Sequence, residues 1–285
     1  MLIISHKSKK EFTDFLDSKN IKYLKTIDNP NIDKRISDHP DLSLFKLDEK
    51  NIIVDENVYD YYKKNLKNIN IIKGEKVGEK YPHDALYNIV KFKNFYIHND
   101  FTEKHIKLYF KEKNIEHLFV KQGYTRCSML VFNENLMTSD MGIFKKLKNI
   151  LPITLLNEEK IPLDGFDKGF LGGCFGKIDK NTILFNGNIE RLNSYDIIKN
   201  IVIKEKLNLL YPDTNLIDTG SLIWIWLGVY NEYSKTTNYC RRDGTFTSRA
   251  ISFWSHKKYN WRNILILSVF TNRHTSYWKK WYFVS

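Results

Sequence analysis

The stretch DALYNIVKFKNFYIHND, residues 84–100, decides the fold, because it is the front half of a unit that the chain repeats. It contains two apolar, strand-like segments joined by a polar turn that ends at Asn94, which is a hairpin signal. Residues 102–114, TEKHIKLYFKEKN, follow with apolar side chains at helical spacing, and Thr102 suits the helix N-cap. A third apolar segment, IEHLFVK at 115–121, completes the unit. The pattern predicts the order strand, strand, helix, strand.

Three other segments of the sequence share this layout. Their turns end at Asn51, Asn135 and Asn181, so the turn asparagines recur at intervals of roughly 40–46 residues. The N-terminus adds a unit that lacks its first strand, and Gly220–Ile223 would supply it. Pairing of the first and last strands removes the free edges of an open array. The sequence therefore predicts an α/β fold, a five-bladed α/β propeller closed by its N- and C-terminal strands. The alternative is an open α/β sheet in two domains.

The composition changes near residue 223. All six Trp lie at or after Trp224, all six Pro lie before it, and residues 224–285 carry most of the net charge of +12. We therefore predict a propeller domain at 1–223 and an atypical basic, Trp-rich tail at 224–285. The tail is either an aromatic arm for single-stranded nucleic acid or an altered, poorly packed C-terminus. A nucleic-acid partner is expected only through this tail.

The cysteines and the apolar runs limit the classes of protein that the chain fits. Three cysteines without CxxC spacing predict no disulfide framework and no zinc site, and are typical of a reducing cytoplasm. The glycines of GFLGGCFG continue into a strand rather than a helix, so no nucleotide cofactor is expected. No apolar run reaches the roughly 18 residues of a membrane span. We predict a cytoplasmic protein without a metal or cofactor, whose partner is a small-molecule substrate rather than a membrane.

Five short stretches carry a resemblance to known proteins. They are PHDALYN, KQGYTRCS, TSDMGI, GFLGGCFGKI and DTGSLI. In this order they resemble the motifs of an uncharacterised bacterial family of the pentein fold, within the guanidino-group-modifying superfamily. That superfamily includes arginine deiminases, amidinotransferases, dimethylarginine hydrolases and agmatine deiminases, and a non-catalytic ribosome anti-association factor shares its fold. The resemblance covers about residues 1–223 and implies the propeller, but a fold does not supply a reaction.

In such a propeller the first strand of each blade lines a central channel, so the residues that begin these strands converge there. They are His39, Asp41, His83, Asp84, Arg126, Cys127, Cys174 and Ser221. This set suits a guanidinium or amine substrate. Paired carboxylates bind the planar cation, a thiolate attacks its central carbon and an imidazole transfers protons.

The predicted catalytic residues are Cys127 as the nucleophile, with His39 and His83 as proton carriers. Arg126 precedes Cys127 and is predicted to favour the thiolate and to contact the substrate. Each assignment has a structural alternative. A lone cysteine on an apolar strand is usually a small buried side chain, and histidines beside Pro or Asp also stabilise turns.

Asp41, Asp84 and Asp140 complete the predicted substrate-binding residues. Asp41 and Asp84 each lie ten residues before their turn asparagine, which makes them equivalent by pseudo-symmetry. Their structural alternative is the capping of strand ends. Asp140 begins a predicted helix, so its alternative is an N-cap.

One departure from the resembled enzymes concerns the nucleophile. Their cysteine lies late, on the first strand of the last blade, where this chain has DTGSLI with Ser221, a poor nucleophile without a base beside it. Two functions stay open. The first is a cysteine-dependent hydrolase or transferase acting on a guanidino or related C–N substrate in the channel. The alternative is a non-catalytic propeller that binds a protein or ribonucleoprotein partner.

Overall fold

The computed structural model describes residues 1–226 together with two short strands, Thr237–Cys240 and Phe246–Arg249. By its internal contacts the chain divides into two compact units, Met1–Leu227 and Gly228–Ser285. In the second unit the two strands form an antiparallel pair. The rest of the predicted basic tail lies outside the described residues, and its nucleic-acid-binding role stays a prediction.

The first unit is mixed α/β and contains five sheets of three strands each. Every sheet combines one antiparallel pair with one parallel pair. A helix connects the two parallel strands in each case, because parallel neighbours need a crossover connection. The sheets thus share the strand order that the sequence pattern predicts for its units.

The elements have the following bounds. Each sheet and its helices form one group of elements. The first group contains β1 (Leu2–Ile4), α1 (Lys10–Ser18) and β2 (Tyr23–Lys25). The second group contains α2 (Pro40–Ser43), β3 (Leu44–Lys46), β4 (Asn51–Val54), α3 (Tyr59–Asn65) and β5 (Asn70–Lys73). The third contains a 3-10 turn (His83–Ala85), β6 (Val90–Phe92), β7 (Phe95–His98), α4 (Lys104–Glu112) and β8 (Glu116–Phe119). The fourth contains β9 (Met129–Val131), β10 (Leu136–Thr138), α5 (Met141–Leu147) and β11 (Ile153–Leu155). The fifth contains a 3-10 turn (Leu171–Cys174), β12 (Phe175–Lys177), β13 (Thr182–Phe185), α6 (Tyr195–Lys204) and β14 (Asn208–Leu210), and β15 (Ile223–Trp224) returns to the first sheet.

The middle strand of each sheet is the most buried one, as β4 shows. Ile52, Ile53 and Val54 are fully buried, because neighbouring structure covers both faces of the strand. Burial on both faces explains why the apolar residues run continuously instead of alternating. Each such side chain contributes about 1.5–3 kcal/mol relative to an exposed one.

The crossover helices bury one face, as the sequence spacing predicts. In α4, Ile106 and Phe110 lie one turn apart and are fully buried. The N-cap differs from the prediction: the Glu103 carboxylate accepts the Ile106 N–H at 2.8 Å, while the Thr102 hydroxyl bonds to His98. The buried His98 imidazole binds the Thr102 hydroxyl in place of the helix N-terminus, and the local sequence does not reveal this contact.

The last described strand completes the first sheet. β15 pairs antiparallel with β1, with Ile223 opposite Ile3 and Trp224 opposite Leu2. The strand therefore begins later than the predicted Gly220–Ile223, because both Gly220 and Ser221 have positive φ and cannot extend it.

The residues before three of the first strands form helical turns rather than the strand starts predicted for His39 and His83. Pro40 begins α2, His83 begins a 3-10 turn, and Leu171 begins another. A proline at the first helical position fixes φ near the helical value and explains the first of these. Within the described residues, no helix has the length and apolar character of a bilayer span.

Candidate functional site

Two side chains, Cys127 and Ser221, meet at the carboxylate of Asp41 in α2. The Cys127 thiol donates to Asp41 Oδ2 at 3.0 Å, and the Ser221 hydroxyl lies 2.6 Å from the same oxygen. Ser221 Oγ is also 3.0 Å from the carbonyl oxygen of Gly172. All three side chains are buried. Sequence reasoning named Asp41 and Cys127, but it left Ser221 without a base, and the structure gives it a carboxylate.

Asp218 is a second buried carboxylate beside this cluster, and sequence reasoning missed it. Its oxygens accept the backbone N–H groups of Phe170 at 2.8 Å and Gly220 at 3.1 Å. A Cβ on Gly173 would lie 1.8 Å from Asp218 Oδ1, so only glycine fits there. Burial raises the pKa of Asp218, against the opposing charge of His39. The one sequence signal for Asp218 was its position as the first residue of DTGSLI, one of the stretches that carry the resemblance.

The buried carboxylates make no direct ion pair among the described residues, although the charge of Arg126 interacts with Asp41 and that of His39 with Asp218. Within residues 1–226, none of Asp41, Asp84 and Asp218 forms an ion pair. Asp41 Oδ1 and Asp84 Oδ1 are also buried without a hydrogen-bond partner. A buried polar atom without a partner is costly, so Oδ1 of Asp41 and Oδ1 of Asp84 are each positioned to accept a hydrogen bond from a ligand.

Cys127 is held between Asp41 and an amide. Asn88 Nδ2 donates to Sγ at 3.2 Å, on a side chain that sequence reasoning did not single out although it lies in PHDALYN. Burial raises the pKa of the Cys127 thiol well above its ordinary value, and the charges of Asp41 and Asp218 raise it further. The thiol is therefore protonated near neutral pH.

The described contacts of the Arg126 guanidinium are with backbone carbonyls and an aromatic ring. Its guanidinium donates to the carbonyl oxygens of Met129 and Phe175 at 3.3 and 3.5 Å and lies over the Phe175 ring at 5.7 Å. Burial lowers the pKa of Arg126. Burial and the nearby carboxylates raise the pKa of Cys127, which opposes the expected effect of Arg126 on the thiol, and that effect stays a prediction.

The two candidate histidines lie in different surroundings. His39 is buried, and its Cβ packs against Gly220, where an added Cβ would lie 2.2 Å away. Its imidazole forms no hydrogen bond with any residue of the described first unit. His83 is exposed, with its ring edge-on to Phe101 at 4.6 Å. His39 therefore lies at the cluster, and no described contact joins His83 to it.

Asp84 is placed like Asp41 but has a different partner. It lies in the 3-10 turn before β6, and its Oδ2 accepts the Tyr124 hydroxyl at 2.6 Å. Burial raises the pKa of Asp84. Burial and the bond to Asp84 raise the pKa of Tyr124 as well. The two equivalent aspartates thus each keep one free buried oxygen.

Asp140 and Cys174 have structural roles in the described contacts. Asp140 is the N-cap of α5, and its Oδ1 accepts the Ile143 N–H at 2.9 Å. It also borders a surface cavity of about 580 Å³. The cavity is lined by Tyr81, Phe119, Val120, Lys121, Gln122, Asp140, Gly142, Ile143 and Lys146. The Cys174 thiol bonds the Phe170 carbonyl at 3.8 Å, and burial raises its pKa.

A separate group of side chains has the donor atoms of a metal site. Ligand atoms of His6, Asp28 and Asp38 all lie within 4.8 Å of one another. Lys7 Nζ already pairs with Asp38 at 2.6 Å, and His6 Nε2 lies 3.1 Å from Asp28. The ammonium supplies the charge that a metal ion would bring, so the group is satisfied as an ion-pair network.

The fold and the site together define a mixed α/β protein with a buried carboxylate–thiol cluster. The sequence matches a family of unknown function, DUF6873, over residues 3–223, and the chain belongs to that family. Comparison with curated proteins gives no significant match.

Several solved structures are weakly similar. A dimethylarginine dimethylaminohydrolase adduct with 4-chloro-2-hydroxymethylpyridine has a TM-score of 0.45 at 9% identity, covering 75% of this chain and 92% of that one. An amidinotransferase of the saxitoxin biosynthetic pathway from Microseira wollei has 0.43 at 9%, covering 73% and 77%. The agmatine deiminase of C. jejuni has 0.44 at 11%, covering 74% and 75%. Likenesses of this size say nothing about activity.

Proposed function

We propose that the chain binds a guanidinium or related C–N cation at Asp41 and Asp84, and that Cys127 attacks its central carbon in a hydrolase or transferase reaction. The supporting observation is the pair of buried carboxylates, each with one unpartnered oxygen and no ion pair. A planar cation carries several N–H donors, which suit carboxylate oxygens that have neither a hydrogen bond nor an ion pair. A cation bound at Asp41 Oδ1 would lie beside the thiol, since Sγ is 3.0 Å from the other oxygen of that carboxylate.

The raised pKa of Cys127 links binding to reactivity in this proposal. The carboxylate charges suppress the thiolate. A bound cation neutralises them, so the thiol passes its proton more readily to His39. The thiolate then forms a C–S bond at the central carbon, the C–N bond breaks, and the amine leaves with the proton that His39 carries. Water, or an acceptor amine in a transferase, releases the product and restores the thiol.

The closed five-bladed ring is part of the same proposal. The five sheets of equal topology and the return of β15 to β1 support it. A ring would bring Asp41, Cys127 and Ser221 together at its centre from three blades, and the contacts of Cys127 and Ser221 with Asp41 support this arrangement.

The alternative is a non-catalytic binding propeller. Two observations favour it: burial and the nearby carboxylates raise the pKa of the thiol, and Ser221 stands where the resembled enzymes have cysteine. In that case the buried carboxylates stabilise a ligand-dependent conformation that a protein or ribonucleoprotein partner recognises.

Calorimetric titration with methylguanidinium, and with neutral methylurea as the matched control, tests the binding step. We expect methylguanidinium alone to bind, and Asp41→Asn to weaken it at least tenfold. Absence of binding at millimolar concentration would overturn the proposal.

Amine and ammonia release from arginine derivatives tests the chemical step. Turnover that Cys127→Ala abolishes and Cys174→Ala retains supports the enzyme. Binding without turnover supports the alternative.

A further inference from the structure

We infer that Asn88 is a positioning residue for Cys127, whose side-chain amide holds the sulfur and favours its ionised form. This inference rests on the proposed role of Cys127, but its geometry is independent of any substrate. Asn88 is fully buried just after the 3-10 turn that carries Asp84, and its backbone N–H bonds to the Ala85 carbonyl at 3.0 Å.

Hydrogen bonds to the backbone fix the orientation of the Asn88 amide. Oδ1 accepts the N–H of Arg126 at 2.7 Å and the N–H of Cys127 at 3.2 Å. Both partners are donors only, so they require the oxygen of the amide at this position and not its nitrogen. The NH₂ group therefore faces the sulfur, and Nδ2 lies 3.2 Å from Sγ.

The two neighbours of the sulfur have opposite effects on its proton. Asp41 Oδ2 accepts a hydrogen bond from the Cys127 thiol and so stabilises its protonated form. The Asn88 amide can only donate to sulfur, and a donor is worth more to a thiolate than to a thiol. Once a cation neutralises Asp41, Asn88 is the side chain that remains to stabilise the thiolate. The same amide binds the Cys127 N–H and so fixes the position of the nucleophile.

The test compares the pH profile of alkylation by iodoacetamide at Cys127 in the wild type, Asn88→Asp and Asn88→Ala, followed by peptide mass spectrometry on the full chain. Asn88→Asp keeps the acceptor for the two backbone N–H groups but replaces the donor with a carboxyl group, whose charge also raises the thiol pKa, whereas Asn88→Ala removes the donor without adding charge. A hydrogen bond to a charged group is worth about 1.5–3 kcal/mol. We expect the rate at pH 8 to fall at least tenfold in both variants, with the profile displaced to higher pH.

Cys174 serves as the internal control, because it is also buried and Asn88 does not contact it. Its rate should stay within about twofold, while circular dichroism confirms that the variants are folded. An unchanged Cys127 profile, a faster Cys127 reaction, or a parallel change at both thiols would each overturn the inference. Because no substrate is used, failure of the proposed turnover leaves this test unaffected.

Discussion

Replacing Asp41 with asparagine should make Cys127 more reactive while weakening cation binding. The substitution keeps the shape of the side chain and removes the charge that lies 3.0 Å from Sγ. At an effective dielectric constant of about 20, a thiolate and a carboxylate at that distance repel by about 5 kcal/mol. Relaxation of the site and penetrating water reduce this, so we expect the thiol pKa to fall by about two units, with one unit equal to about 1.36 kcal/mol.

The alkylation rate of Cys127 at a fixed pH below its pKa measures this change. The rate follows the thiolate fraction, so it should rise about a hundredfold in Asp41→Asn. Asp55→Asn is the matched control, since Asp55 is equally buried but bonds Val77 and Asn57 instead of the thiol. Its Cys127 rate should match the wild type.

Two results would refute the reasoning. An unchanged or lower Cys127 rate in Asp41→Asn would show that the carboxylate does not set the thiol pKa. An equal rise in Asp55→Asn would show that any lost buried charge opens the structure. Methylguanidinium should protect Cys127 only weakly in Asp41→Asn, because the group that binds the cation has been neutralised.

Three further changes test single contacts. Burial lowers the pKa of His98 from 6.5 to about 4. The stability that the buried neutral imidazole contributes is therefore present above pH 6.5 and is lost as the pH falls towards 4. In thermal melts, the melting temperature of His98→Gln should depend less on pH in this range. Gly173→Ala should lower the free energy of unfolding in urea by about 2 kcal/mol or more, because the added Cβ would lie 1.8 Å from Asp218. Gly142→Ala is the control: Gly142 is exposed, so this variant should keep its stability. Asp140→Ala should cost about 1 kcal/mol as a lost N-cap and leave Cys127 alkylation unchanged; a slower alkylation would restore Asp140 to the site.

The order of strands and helices was largely predictable from the sequence. Each unit carries its own signals, such as the turn at Asn94 and the apolar face of Ile106 and Phe110, which act between residues close in the chain. Boundaries were less predictable. Glu103 rather than Thr102 caps α4, because His98 binds the threonine hydroxyl from another element.

The members of the site were only partly predictable. Asp41, Cys127 and His39 follow from their places before the first strands. His83 has such a place too, but no described contact joins it to the cluster, and Asp140 begins a helix after a second strand. Asp218 and Asn88 were missed, because an acid in a loop and an amide before a strand are common in any sequence. Their roles come from atoms far apart in the chain.

The sequence by itself determined the repeated unit, because turn asparagines and apolar spacing act over a few residues. Only the tertiary structure decided the chemical state of Cys127. Its raised pKa comes from burial and from Asp41 in α2 and Asp218 in a loop, both far away in the chain, and Arg126 beside it in sequence does not reverse it. Electrostatic effects depend on distance and solvent in three dimensions, so adjacency along the chain could not predict them.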